Sequence, residues 1–129
     1  MDKQPLELGI YNKLYELVTE LGYDVHLSLP GLEAPYPFVV MGEIQEMMMP
    51  NKTANKRRFI FSYHIWGSSS QRTEVSEALN KLLFFIYEFR INKYVVLLQK
   101  NTASKRILAD NSTNDRLWHG ILELEFKVI

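Results

Sequence analysis

The stretch from Arg57 to Phe89 constrains the fold more than any other, because a clear strand pattern is followed at once by a clear helix pattern. In its first part, apolar side chains recur at every second position, as is typical of a strand with one buried face. These positions are Phe59, Phe61, Tyr63 and Ile65. We therefore predict a central strand here.

A helix is predicted to follow this strand. The alternation stops at Gly67, and Ser68 with Gln71 matches a capping box, in which side chains bind backbone N–H groups at a helix start. We expect the helix to begin near Ser69 and to continue through Phe89. Apolar positions three or four residues apart, which indicate one buried helix face, are Val75, Leu79, Leu82, Leu83 and Ile86.

The second half of this helix is apolar on nearly all sides. A sheet covers only one face of a helix, so the other side must pack on a second helix of the chain or on a neighbouring subunit. Both alternatives are open from the sequence. The run is too short to cross a bilayer, which needs roughly 20 apolar residues. If a neighbouring subunit covers it, the expected contact residues are Phe84, Tyr87 and Phe89.

The composition limits the kinds of function. A chain of 129 residues is expected to form one domain over residues 1–129. Without cysteine there are no disulfides, thiolate nucleophiles or cysteine zinc sites. Basic and acidic residues number 15 each, which argues against bulk electrostatic binding of nucleic acid and favours self-association. No signal peptide or membrane anchor pattern occurs, so we expect synthesis in the cytoplasm without membrane contact.

The remaining patterns predict one more helix and four more strand segments. They are a helix from Leu6 to Gly22, a short strand over Tyr23 to Leu29, a strand from Phe38 to Met48, a strand over Lys93 to Leu98 that continues over Lys105 to Ala109, and a strand from Leu117 to Val128. The prolines of "PGLEAPYPF" predict an extended connector before the second strand. The order predicts an α+β fold, with two helices on one face of a mainly antiparallel sheet of four to five strands.

A long β-hairpin is predicted between the second and the central strand, with its tip at Pro50 to Lys56. Its basic side chains are suited to a solvated mobile loop, or to a loop that binds a partner or nucleic-acid phosphates. The methionines beside them are suited to an adaptable contact surface. The candidate contact residues of this loop are Met47, Met48, Met49, Lys52, Lys56, Arg57 and Arg58.

The sequence shows no catalytic motif. No nucleophile elbow, phosphate-binding loop or dinucleotide fingerprint occurs. The histidines His26, His64 and His119 lie on three separate predicted strands, and no pair has metal-ligand spacing. We therefore predict no catalytic, cofactor or metal site, and we do not expect an enzyme.

Four segments, in their order and spacing, carry a resemblance to a known family. They are Ile10 to Leu14, "PYPFVVMGE" at Pro35 to Glu43, "FSYHIWG" at Phe61 to Gly67 before a serine-rich helix start, and "RLWHGILELEFKV" at Arg116 to Val128. Over nearly its whole length the chain resembles the tail completion proteins of long-tailed bacteriophages, also called head-to-tail joining or tail terminator proteins.

This resemblance implies a structural virion protein without catalysis or cofactors. It would cap the tail tube as a homo-oligomeric ring, expected to contain six subunits, and join the tail to the head connector proteins. DNA would pass through the ring without specific binding. The alternative function is a small nucleic-acid-binding or regulatory α+β module that uses the basic hairpin.

Overall fold

The computed structural model describes residues 4–48 and 57–129, which form two α-helices and one mixed sheet. The helices are α1 (Leu6–Glu20) and α2 (Arg72–Phe85). The strands are β1 (Val25–His26), β2 (Phe38–Met47), β3 (Arg57–Gly67), β4 (Glu88–Ile91), β5 (Tyr94–Leu98), β6 (Ser104–Asp110) and β7 (Leu117–Val128). None of the helices in these two ranges is long and apolar enough to cross a membrane.

The strand order is β1-β2-β3-β7-β5-β4, and β6 also pairs with β7. β1 runs parallel to β2, whereas the other pairs are antiparallel. β5 and β6 follow each other along the same side of β7, separated by a short 3₁₀ turn. The α+β class was therefore predicted correctly, but the sheet is a mixed one of seven strands rather than a mainly antiparallel one of four to five.

The largest correction concerns the end of α2. The helix stops at Phe85, and Ile86 is already extended. Phe89, predicted to be helical, lies in β4 opposite Val96 and is only 8% exposed. Aromatic and β-branched residues favour strands. A tight turn at Asn92, with φ of 52°, lets β4 fold back on β5, so this stretch gains a strand pairing that a longer helix would lack.

Other boundaries differ by smaller amounts. α2 begins at Arg72 rather than near Ser69, although the Gln71 side chain does accept the Ser68 N–H at 2.9 Å. The strand predicted over 23–29 is reduced to β1, because proline and glycine follow it closely. The bounds of β7 are confirmed at both ends. The predicted hairpin tip over 50–56 lies outside the described residues.

Both helices pack on the face of the sheet that carries the alternating aromatic residues. The Tyr63 hydroxyl donates a hydrogen bond of 2.6 Å to the Leu14 carbonyl and so ties β3 to α1. Burial raises the pKa of Tyr63 well above its ordinary value. The largest fully buried side chains of this core are Phe59, Phe61, Tyr63, Phe126, Ile10, Leu14, Leu79, Leu82, Leu122 and Leu124.

Two glycines set the distance between α2 and the sheet. A Cβ atom added to Gly120 would lie 2.6 Å from Cγ1 of Val75, and one added to Gly67 would lie 2.6 Å from Cγ2 of the same residue. Such separations are too short for carbon atoms in contact. The start of α2 therefore sits directly on bare backbone of β3 and β7.

Substitution of Gly120 with alanine should lower the free energy of unfolding by about 2 kcal/mol, because the added methyl group overpacks against buried Val75. Urea denaturation measures the change. The control is Gly31→Ala, whose methyl group meets only the flexible Glu33 side chain. The double variant Gly120→Ala with Val75→Ala should lose less free energy of unfolding than the two single variants lose together, because the shorter side chain leaves room for the added methyl group. A loss equal to that sum would contradict the proposed contact.

Candidate interaction surfaces

Two ion pairs lie at the base of the predicted hairpin, and one of them joins its two strands. Arg57 donates two hydrogen bonds to the carboxylate of Glu46, at 2.8 and 2.9 Å. These hydrogen bonds lower the pKa of Glu46. Arg58 forms an ion pair of 3.0 Å with Glu125 on β7. Both arginines are thus matched to carboxylates of the same chain, which reduces their availability for phosphate groups.

Two methionines at the hairpin base are exposed beside these ion pairs. Met47 is 37% exposed and Met48 is 82% exposed at the end of β2. The other candidate loop residues, Met49, Lys52 and Lys56, lie outside the described residues. A contact through this loop stays a prediction.

The end of α2 exposes three large rings, which we call the aromatic patch: Phe84, Phe85 and Tyr87. Their exposed fractions are 71%, 52% and 63%. The rings of Phe84 and Phe85 meet edge to face at 5.4 Å, and the Lys100 ammonium lies 6.0 Å from the centre of the Phe84 ring. Two of the three predicted helix contacts, Phe84 and Tyr87, therefore lie on the surface, whereas Phe89 belongs to the core.

The aromatic patch stands on a fixed base. Leu82, which precedes the exposed rings, and Ile86, which lies between them, are buried, at 0% and 1% exposure. The carbonyl of Tyr87 accepts a hydrogen bond of 2.7 Å from the Leu98 N–H, which ties the link after α2 to β5. The inner side of the apolar run is thus covered within the chain, while its outer side meets solvent in the single chain.

A second apolar surface was missed by the sequence analysis. Leu27, Leu29 and Leu32, which we call the leucine connector, are 63%, 63% and 87% exposed. The sequence analysis assigned Leu27 and Leu29 to a strand. The signal that could have found this surface is the Pro30 and Gly31 pair, which ends strand pairing and leaves the leucines without a sheet to cover them.

The leucine connector partly encloses a cavity of about 90 Å³. Leu29 and Leu32 contribute to its rim, while Phe38 and Leu117 line it from the sheet and are themselves only 4% and 6% exposed. Tyr36 stacks on Phe38 with ring centres 5.1 Å apart. The cavity therefore has a rigid apolar floor.

Two histidines meet on the face of the sheet opposite the helices. Nδ1 of His64 lies 2.8 Å from Nε2 of His119, and the Trp66 ring stacks on His119 at 4.0 Å. Burial lowers the pKa of both imidazoles, and the neighbouring His64 charge helps to lower that of His119 to about 4. The third histidine lies apart from this pair: Nε2 of His26 is 3.1 Å from Oδ2 of Asp24. No group of three metal-ligating side chains occurs in the part of the chain that the structure describes.

The comparisons with known proteins agree with the resemblance seen in the sequence. No protein-family profile matches the chain. The tail completion protein gp17 of Bacillus phage SPP1 is 23% identical over 122 residues, which are 94% of this chain and 85% of that protein. The resemblance to bacteriophage tail completion proteins is confirmed.

Two solved structures are also similar. One has no functional name; it covers 100% of this chain and 96% of its own, with a TM-score of 0.60 at 10% identity, and it shares the fold. The other is the structure of the bacteriophage SPP1 gp17 protein, which is 21% identical, covers 91% of this chain and 89% of its own, and has a TM-score of 0.45.

The stability of the fold should decrease as the pH falls from 7 to 5. The unfolded chain takes up a proton at the ordinary histidine pKa, whereas folded His119 does so only near pH 4, so protons favour the unfolded state in this window. The expected loss is about 1 kcal/mol, since both rings are partly exposed. Urea denaturation at the two pH values measures it.

His119→Gln should reduce this pH dependence, because the substituted chain has no His119 proton to gain on unfolding. The comparison is made with the parent chain under the same conditions. An unchanged difference between pH 7 and pH 5 would show that the histidine pair does not set the slope.

Proposed function

We propose that this protein is a structural component of a bacteriophage tail that completes the tail tube and joins the tail to the head. The observation that carries the proposal is the similarity to SPP1 gp17, which extends over 94% of the chain and 85% of that protein. A similarity of this extent spans the fold as a whole rather than one local motif. The protein acts through binding surfaces and has no catalytic role.

The acting form in this proposal is a closed ring of six subunits in the virion. The aromatic patch supports self-association, because three adjacent exposed rings form a surface that marks an interaction site. The formal net charge of +0 supports it as well, since there is little overall repulsion between copies. DNA passes through the ring without specific binding.

The ring contacts the tail tube protein on one side and the head connector proteins on the other. We assign one of these contacts to the hairpin, with Met47, Met48 and Met49 followed by Lys52 and Lys56. Exposed methionines at its base favour an adaptable protein contact. The pairing of Arg57 with Glu46 and of Arg58 with Glu125 argues against phosphate binding as its main use.

Deletion of the gene from the phage or prophage that encodes it should yield filled heads and separate tails in place of joined particles. Electron microscopy of the lysate and the titre of infectious particles measure this result. Expression of the wild-type chain from a plasmid is the control and should restore both. Normal joined particles without the gene would contradict the proposed function, as would a protein that remains monomeric with tail components but binds DNA in a steeply salt-dependent manner.

The hairpin proposal makes a separate prediction in the same assay. A chain that lacks residues 51–55 should retain the fold, because the core lies elsewhere, but should fail to restore joining. Circular dichroism and the melting temperature check the fold, and the titre checks joining. A full titre with the shortened loop would exclude the loop as the contact.

Replacement of Phe84 with glutamate should give soluble, folded monomers. The ring is 71% exposed, so the charge costs the fold little, but it places a carboxylate in the proposed subunit contact. Analytical ultracentrifugation over a range of concentrations measures the mass. The matched control is Leu108→Glu on β6, at 42% exposure, which should associate as the wild type does. Unfolding of Phe84→Glu would mean that the ring belongs to the core.

A further inference from the structure

We propose that the aromatic patch of one copy binds the leucine connector of the next copy. The inference rests on the proposed homo-oligomer and identifies the two surfaces that meet in it. Phe84, Phe85 and Tyr87 form one surface, and Leu27, Leu29 and Leu32 form the other. The occupant of each surface is therefore a second copy of this chain.

The two surfaces lie in different parts of the fold. Leu29 and Leu32 lie over the ends of β2, β3 and β7, where they border the cavity with Phe38, Trp66 and Leu117. β1 is the edge strand on one side and β4 is the edge strand on the other. The leucine connector begins directly after β1, and the aromatic patch ends directly before β4. When two different surfaces of identical chains bind each other, an open assembly always keeps one free surface of each kind, at its two ends. Assembly then continues, and it ends in a ring when the rotation between neighbouring copies closes.

The shapes of the surfaces are complementary. Phe84 of the aromatic patch is 71% exposed in the last turn of α2. The leucine connector borders a cavity of about 90 Å³ whose floor is buried Phe38 and Leu117. This volume is smaller than the roughly 150 Å³ of a cavity that holds benzene. The cavity therefore accepts the edge of one ring, while the exposed leucines cover the ring faces.

Opposite charges beside the two surfaces can pair in the unlike contact. Lys100 lies beside Phe84, at 6.0 Å from its ring centre. Glu33, which is exposed beside Leu32, is the one charged residue between Leu27 and Pro37. A contact between two connectors would bring two Glu33 side chains together, whereas the aromatic patch has exposed Glu88 beside Tyr87 as well as Lys100 beside Phe84. The unlike contact brings Lys100 towards Glu33 instead.

Engineered cysteines test this contact, because the natural chain has none. Leu32→Cys and Phe84→Cys are each placed in separate chains, and Leu108→Cys serves as the control outside both surfaces. A short bis-maleimide cross-linker joins nearby thiols without the strict geometry of a disulfide. Equal mixtures and single variants are cross-linked, and mass spectrometry identifies the partners.

The expected main product is the mixed dimer of Leu32→Cys with Phe84→Cys, well above any product that contains Leu108→Cys. A chain with both cysteines should give a ladder of bands that ends at the size of the closed ring. Dimers of Phe84→Cys alone as the main product would overturn the proposal in favour of a symmetric contact. Mixed products no more abundant than those of the control would overturn it as well.

The cross-linking result is independent of the particle assay. If the mixed dimer forms but the gene deletion still gives joined particles, the contact stands and the tail function fails. If joining requires the gene but the mixed dimer does not form, the function stands and this pairing of surfaces is wrong. Suppression of the mixed dimer by Leu29→Ser, with the fold intact by circular dichroism, would add a second line of support.

Discussion

The antiparallel pairing of β3 with β7 is the interaction on which the rest of the structure depends. Its register runs without a break from Arg57 opposite Val128 to Gly67 opposite Trp118. On the helix side this register places Phe59 opposite Phe126, and the pattern repeats along both strands. Because side chains alternate between the two faces, a slip of one residue would move every buried ring to the open face. The long pairing makes that slip costly and so fixes where the helices pack.

The same register prepares the docking site of α2. It brings Gly67 and Gly120 beneath Val75, so the helix approaches closely at its start. From that point the helix runs until Phe85, after which Ile86 returns to the core and β4 begins. The aromatic patch therefore arises from the geometry of the fold: its rings lie where the helix ends and the chain turns back. Their exposure does not result from loose packing, since Ile86 between them and Leu82 before them are buried.

The sequence predicted those parts of the fold whose patterns are local. Alternation over a long strand determined both ends of β7, and a glycine with φ of 94° at position 22 followed α1 as expected. β4 was missed because its apolar residues continue the helical spacing, and only pairing with β5 decides between the two states. β1 has two residues, so its parallel pairing with β2 depends on contacts distant in sequence. Exposure of the leucine connector was missed, although the Pro30 and Gly31 pair indicates that strand pairing ends there. For Phe84 the sequence showed an apolar run too wide for one sheet but left open whether a second helix or a neighbouring subunit covers it.

The distribution of charge separates the uses of the three surfaces. At the hairpin base, Arg57 and Arg58 are already bound to carboxylates. A polyanion would have to displace Glu46 or Glu125 in order to bind these arginines. Exposed Met48 has no such competition and adapts to a protein surface at little cost. A subunit of the proposed ring needs two different surfaces for its neighbours and a third for the tube or the connector. The aromatic patch and the leucine connector supply the first two, and because neither involves the hairpin, contact with a neighbour leaves the hairpin available for the third.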